Sequence, residues 1–301
     1  MIFNNLYGAP PPELAEIAPD ARQFSPLDPK AETLADIGPG ALADLAMLAP
    51  PGAVERRHVL GLALRALAPG APFLVLAPKD KGGGRLAKEL AELGCAAHET
   101  ARRHHRICAA AASHDPAAVA SAIAAGAPRF SESLGLWTQP GVFSWDRIDP
   151  GSALLIRHLP EFSGRGADFG CGIGLLAHQI LRSSRVSQLT LVELDRRAVE
   201  LCRRNVDDSR VTLLWADART VAGLDSLDFV AMNAPFHEAG AENRALGLAF
   251  IDKAAAVLRK GGFCWLVANR HLPYEAALSR HFRESRVVAD EGGYKIIEAR
   301  K

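Results

Sequence analysis

The chain has 301 residues, 49% hydrophobic and 23% charged, which is enough for a packed core in two domains or one large one. A net charge of +1 supplies no global basic field that would advertise a nucleic-acid partner. The five cysteines are widely spaced with no CxxC, and no apolar run reaches 18 residues; this argues against a disulfide framework, a structural zinc, secretion and membrane spanning, and for a reducing cytoplasm.

Residues 1–40 are acidic and proline-rich with few periodic apolar positions, and read as an irregular lead-in. Residues 41–49 suit a short strand or the end of a helix. Helical spacing over 54–67 ends at Pro69-Gly70, and the apolar run 73–77 has the signature of a buried strand. Gly82-Gly83-Gly84 breaks the chain before further helices at 85–93 and 117–125. Charge is uneven along this half. Residues 1–50 hold two Lys/Arg against seven Asp/Glu, whereas 51–110 hold ten against five. Within the second block lies Arg102-Arg103-His104-His105-Arg106, either a solvated helix face or loop, or a phosphate-contacting patch. Pro128, Pro140, Gly141 and Pro150 mark a domain boundary, so 41–130 and 131–301 are expected to be separate domains.

The second half alternates. Helices are expected at 152–159, 175–182, 196–205 and 245–258, and strands at 166–169, 189–193, 211–216, 227–232 and 263–268. This rhythm predicts an α/β fold, a parallel-rich sheet with helices on both faces that binds ligands beyond the carboxyl ends of its strands. The first half echoes the second. Residues 67–77 line up with 258–268 at a constant offset of 191, and 44–50 resemble 228–235, with Leu48 where the later copy has Asn233. By that offset a copy of the glycine turn described next would fall before Met1.

Asp168-Phe169-Gly170-Cys171-Gly172-Ile173-Gly174 joins a strand to a helix. Glycines let the backbone turn sharply and let a ligand approach. The pattern is GxGxG, with Leu175 where a dinucleotide fingerprint has its third glycine, so a dehydrogenase is disfavoured. A carboxylate at Asp168 suits the amine of a cationic amino acid better than a pyrophosphate. Glu193 ends the next strand, where an acid can accept both ribose hydroxyl hydrogens. Asp195 is read as the cap of the following helix, and Asp217 can accept from an exocyclic adenine amine. Asn233-Ala234-Pro235-Phe236-His237 follows another strand. The Asn233 side-chain carbonyl and the Ala234 backbone carbonyl can accept the hydrogens of a ring-conjugated amine, Pro235 stiffens the loop and Phe236 can stack on the ring. Positioning and acceptor dipoles then suffice, provided the methyl donor is already activated. His237 suits substrate contact or a structural hydrogen bond equally.

These motifs resemble class I S-adenosylmethionine-dependent methyltransferases, and most closely the bacterial ribosomal RNA small-subunit guanine-N2 methyltransferases of type C. Gly141-Val142-Phe143-Ser144, Asp149-Pro150-Gly151-Ser152, the Asn233–His237 loop, Leu258-Arg259-Lys260-Gly261-Gly262 and 267–274 carry the resemblance. It implies a Rossmann-like catalytic domain preceded by a smaller, degenerate, non-catalytic methyltransferase-like α/β domain. It implies S-adenosylmethionine held by Asp168, Gly170, Cys171, Gly172, Gly174, Glu193, Leu194, Asp217, Ala218 and Asn233. Catalysis would fall to Asn233, Ala234, Pro235 and Phe236, and the target base to Phe143, Phe236, His237 and Arg270. The implied partner is ribosomal RNA or a ribosomal subunit, with no metal and no membrane, and the chain is expected to be a monomer. Ala234 stands where the family usually has a first proline, which adds about 0.5–1 kcal/mol of unfolded-state entropy to the loop. Methylation of a protein glutamine or of adenine N6, which uses a similar loop, and a non-catalytic cofactor-binding assembly role are the alternatives.

Overall fold

The computed structural model describes residues 1–301 except Pro235, Phe236, Ala239, Gly240 and Asn243, and except the side chains of His237, Glu238, Ala241, Glu242 and Arg244. The chain divides into two compact units, 1–129 with 139–141, and 130–138 with 142–301.

The first unit contains β1 (Ile2–Tyr7), β2 (Glu16–Gln23), β3 (Leu45–Leu48), α1 (Ala53–Ala66), β4 (Pro72–Pro78), α2 (Leu86–Glu92), β5 (Ala97–Arg102), β6 (His105–Ala111) and α3 (Pro116–Ala125). Its sheet runs β2-β1-β3-β4-β6-β5. Residues 1–40 are therefore no irregular lead-in: they supply two strands of this sheet. The apolar pattern of β1 is interrupted by Asn5, which is buried because its backbone and side chain donate to Asp44 at 3.0 and 3.2 Å, 39 residues away. No local signal announces such a pair. Pro19 sits in β2, an edge strand, where a missing N–H costs least. Leu45, Met47, Leu60, Leu64 and Phe73 make the centre of the unit's core.

The short pair β7 (Arg129–Ser131) and β8 (Leu136–Thr138) begins at the boundary, and the second unit continues with α4 (Pro150–His158), β9 (Gly164–Phe169), α5 (Leu175–Leu181), β10 (Val186–Glu193), α6 (Arg196–Asn205), β11 (Val211–Trp215) and β12 (Leu227–Met232). The pair β13 (His237–Glu238) and β14 (Ala241–Glu242), α7 (Arg244–Val257), β15 (Leu258–Asn269), α8 (Glu275–His281), β16 (Glu284–Glu291) and β17 (Tyr294–Arg300) complete it. The sheet order is β11-β10-β9-β12-β15-β17-β16. β12 shows why its run from Phe229 to Met232 is apolar. Val230 and Met232 face one core with α7, while Phe229 and Ala231 face the other with α4 and α5. A strand covered on both faces has no solvent side to keep polar. Phe229 stacks on Phe162 with ring centroids 4.1 Å apart, and burying such a side chain is worth roughly 1.5–3 kcal/mol.

Without β11, the second sheet has the strand order and strand directions of the first. The register follows the same pairing: Leu45 lies opposite Phe73 as Val230 lies opposite Cys264. Leu6 then takes the place of Asp168, since Leu6 faces Ala46 and Asp168 faces Ala231. Gly8 takes the place of Gly170, with φ of +76° and +75°. The counterpart of the glycine turn thus lies inside the chain, not before Met1. The constant offset overshoots because the first unit has only 8–15 between β1 and β2, where the second has α5, and no counterpart of β11.

Candidate cofactor and active site

The carboxyl ends of β9, β10 and β12 share one rim, because these strands are parallel neighbours. β9 delivers Asp168 and then the glycine turn that opens α5. Gly174 has φ +94°, and a Cβ there would lie 2.5 Å from Val206 Cγ2, so only glycine lets α5 start this close to α6. A Cβ on Gly172 would meet nothing within 4 Å, so that face of the turn is open to a ligand. Asp168 is fully buried, and among the described residues neither of its carboxylate oxygens has a hydrogen-bond partner. Burial, with the Glu193 charge adding to it, pushes its carboxyl up to about 8.

Glu193 ends β10 with its carboxylate aimed back at the turn. It accepts from the backbone of Gly172 at 2.8 Å, of Leu194 at 2.8 Å and of Asp195 at 2.9 Å. Burial raises its carboxyl, and these backbone donors temper the rise. The Leu194 carbonyl accepts from Trp215 Nε1 at 2.8 Å, which fixes the loop after β10. Asp195 caps α6 by accepting from Arg197 N at 3.0 Å, the capping role its position suggested. Asp217 accepts from Arg219 through both backbone and guanidinium. Burial works to raise its carboxyl, but the Arg219 hydrogen bonds outweigh that and hold it below the usual carboxylate range. Ala218 is buried in the core beside it. The Cys171 thiol is raised well above its ordinary value, first by a hydrogen bond with Cys202 and then by burial, which suits a packing thiol and not a nucleophile.

Asn233 leaves β12 on the same rim. Its Nδ2 donates to Asp149 Oδ2 at 3.0 Å and to Ser152 Oγ at 2.7 Å. A carboxylate only accepts, so the amide nitrogen must face Asp149. With both hydrogens used, the Asn233 carbonyl oxygen is what this side chain can offer a ligand. Asp149 itself caps α4, accepting from Ser152 N at 2.8 Å, and is steadied by Ser144 Oγ, which accepts from Asp149 N at 2.8 Å. Asp149 and Ser152 carry the resemblance in sequence but were expected to play no part in the site; a bond to a residue 84 positions away leaves no local signal. Asn205 is a second such case. It binds Trp137 through its backbone N–H and carbonyl, and the Ile173 carbonyl at 2.9 Å, joining β8 to the glycine turn.

Gly172, Ile173, Asn233 and Ser152 line one cleft with Phe143 and Ile148, both of which are exposed. Ala234 is buried in the core. Arg270 follows β15, the parallel neighbour of β12, pairs with Asp290, and is not among the residues that line the cleft. Pro235, Phe236 and the His237 side chain lie outside the described residues. The groups present fit S-adenosylmethionine. Asp168 is a buried acid that a cation would suit, Gly172 leaves room for close approach, and Glu193 keeps a lone pair on Oε2 for a hydroxyl. Among the described residues, no cluster of three or more His, Cys, Asp or Glu could hold a metal ion, and no helix is long and apolar enough to cross a membrane.

A family model described as the methyltransferase small domain matches residues 133–298. The ribosomal RNA small subunit methyltransferase C of Shewanella sediminis is 34% identical over 160 residues, 52% of this chain and 46% of that protein, so the match takes in under half of the relative. The protein of the same name from Stutzerimonas stutzeri is 32% identical over 274 residues, 87% of this chain and 80% of its own length. A solved T. thermophilus 16S rRNA N2 methyltransferase, in complex with AdoMet and guanosine, has the same fold, with a TM-score of 0.72 at 24% identity over 95% of this chain and 77% of that one. From the family match over more than half its length and the extended likeness to the S. stutzeri protein, the chain belongs to the methyltransferase small domain family and, within it, to ribosomal RNA small subunit methyltransferase C, a group of class I S-adenosylmethionine-dependent methyltransferases.

Proposed function

We infer that this chain transfers a methyl group from S-adenosylmethionine to the exocyclic N2 of a guanine in ribosomal RNA. When bound, S-adenosylmethionine supplies a methyl group already activated on a sulfonium. Asp168 and Glu193 hold the donor from the β9 and β10 ends. Asn233, fixed by Asp149 and Ser152, presents its carbonyl oxygen to the target amine and so keeps the nitrogen lone pair directed at the methyl group. No strong base is required: the S–CH3 bond breaks to leave a neutral thioether as the N–CH3 bond forms, and the now acidic proton of the nitrogen passes to solvent. The observation that carries the reading is the committed orientation of Asn233 on the rim that also bears the unpaired Asp168. The names of the relatives favour ribosomal RNA over a protein glutamine or adenine N6. Residues 1–129 form a non-catalytic domain, and the chain works in the cytoplasm as a monomer.

Incubating the protein with labelled cofactor and undermethylated small ribosomal subunits should put label in N2-methylguanosine on nucleoside analysis. Asn233→Ala should abolish transfer while calorimetry still detects cofactor uptake. Label recovered only in protein, or in another nucleoside, would overturn the reading.

A further inference from the structure

The basic run at 102–106 has no part in the chemistry above, and the structure places it at the tip of the β5–β6 hairpin. The antiparallel pairing reaches Arg102 opposite His105, so Arg103 and His104 alone make the turn. Both have left-handed backbones, with φ of +47° and +59°. A two-residue turn with positive φ at both positions is of the type that favours Asn-Gly, because a Cβ is strained there. This turn carries two long cationic or imidazole side chains instead. Arg102, Arg103 and His104 are exposed, as is Lys79, whose backbone N–H donates to the His104 carbonyl at 2.8 Å. Arg103 meets Glu13 at 3.1 Å and Arg106 meets Glu99 at 3.0 Å. Pairs as exposed as Arg103–Glu13 hold weakly and yield readily to a phosphate.

A strained backbone kept at an exposed turn is better explained by what its side chains do than by stability. We propose that this hairpin tip is a phosphate-contacting surface through which the first unit grips the RNA backbone, with Arg102, Arg103, His104 and Lys79 as the donors. The proposal rests on the RNA reading above. Residues 98–106 include no large apolar side chain, which insertion among lipid headgroups would need, so RNA is favoured over a membrane.

The test uses the full chain and a small-subunit ribosomal RNA transcript. Binding is measured across salt concentrations, alongside thermal unfolding. Arg103→Asn with His104→Gly restores the residues the turn prefers and should raise the melting temperature by about 2–5 °C. Adding Arg102→Gln should weaken RNA binding roughly tenfold near 100 mM salt and lower the log–log salt slope by about one to two. Cofactor uptake should not change. Arg103→Lys, which keeps charge and strain, should keep the slope. An unchanged affinity and slope in the Asn-Gly-Gln variant would overturn the proposal. So would loss of binding to anionic lipid vesicles with RNA binding intact. If the unaltered chain shows no salt-dependent RNA binding, the substrate reading itself fails and the proposal falls with it.

Discussion

Among the described residues nothing donates a hydrogen bond to the Asp168 carboxyl group, which lies where solvent does not reach. Burial first, and then the charge of Glu193, lift its carboxyl from 3.8 to about 8. The cofactor-free fold therefore holds a proton there at pH 7. An acid raised in the folded state stabilises the fold below its unfolded value and withdraws that stability as pH climbs towards 8. A sulfonium cation demands the opposite charge state. Cofactor uptake should then release a proton near pH 7, and affinity should rise with pH up to about 8. Calorimetry in buffers of different ionisation enthalpy measures this release. In Asp168→Asn the release should vanish, affinity should fall, and the loss of stability with rising pH should become shallower. Uptake with no proton exchange in the unaltered protein would show that Asp168 is not where the cation rests. This residue was legible from sequence because its neighbours are glycines in a fixed pattern. Its isolation was not, since burial is a property of the whole sheet.

At the scale of elements, α4 ties its helix cap to Asn233, the residue proposed to face the target amine. Asp149 accepts from Ser152 N and from Asn233 Nδ2 through the same oxygen. Asn and Asp cap helices about equally well, so Asp149→Asn should leave the melting temperature nearly unchanged. It should nonetheless let the Asn233 amide adopt either orientation, because the new side chain can donate as well as accept. The expected result for Asp149→Asn or Ser152→Ala is a fall in kcat of roughly tenfold, about 1.4 kcal/mol of barrier, with KM for the cofactor little changed. A loss confined to KM, or tracking a fall in stability, would mean that the contact only holds α4 in place. Elements whose side chains answer to local periodicity were readable, α6 above all: Asp195 caps it, Ala198, Val199, Leu201 and Cys202 are buried, and Arg203 and Arg204 lie in its last turn. β1 was hidden by its buried Asn5. The β5–β6 and β16–β17 hairpins were hidden by exposed, charged strands such as β16, where Arg286 pairs across the ladder with Glu298.

For the whole molecule, the echo at offset 191 was the visible part of a repeated sheet, and insertions concealed the rest. The first unit differs from the second at the positions that carry the candidate site. Leu6 stands at the place of Asp168 and Leu48 at that of Asn233. Gln23 does the structural work of Glu193, accepting from Gly8, Phe24 and Ser25 backbone donors, but its Nε2 also donates to the Gly8 carbonyl and closes the turn on itself. Beyond β3, the Pro50 and Pro51 carbonyls are taken by Arg56, which is buried against Glu89 with N–O distances of 2.6 and 2.7 Å. Bonding to this buried guanidinium makes both carbonyls poorer acceptors for a substrate amine, and removing it would strand Glu89 at a cost of about 3–5 kcal/mol. Calorimetry should therefore find a single equivalent of S-adenosylmethionine per chain, and Asp168→Asn with Glu193→Gln should remove it without exposing a weaker second site. The paired variant Leu6→Asp with Gln23→Glu should fail to create one and should destabilise the first unit, because the aspartate would enter a sheet with no cation to meet it. A second equivalent in the unaltered protein would mean that the amide at Gln23 and the leucine at Leu6 still leave a working cofactor cradle, and that the repeat kept more of its chemistry than its side chains suggest.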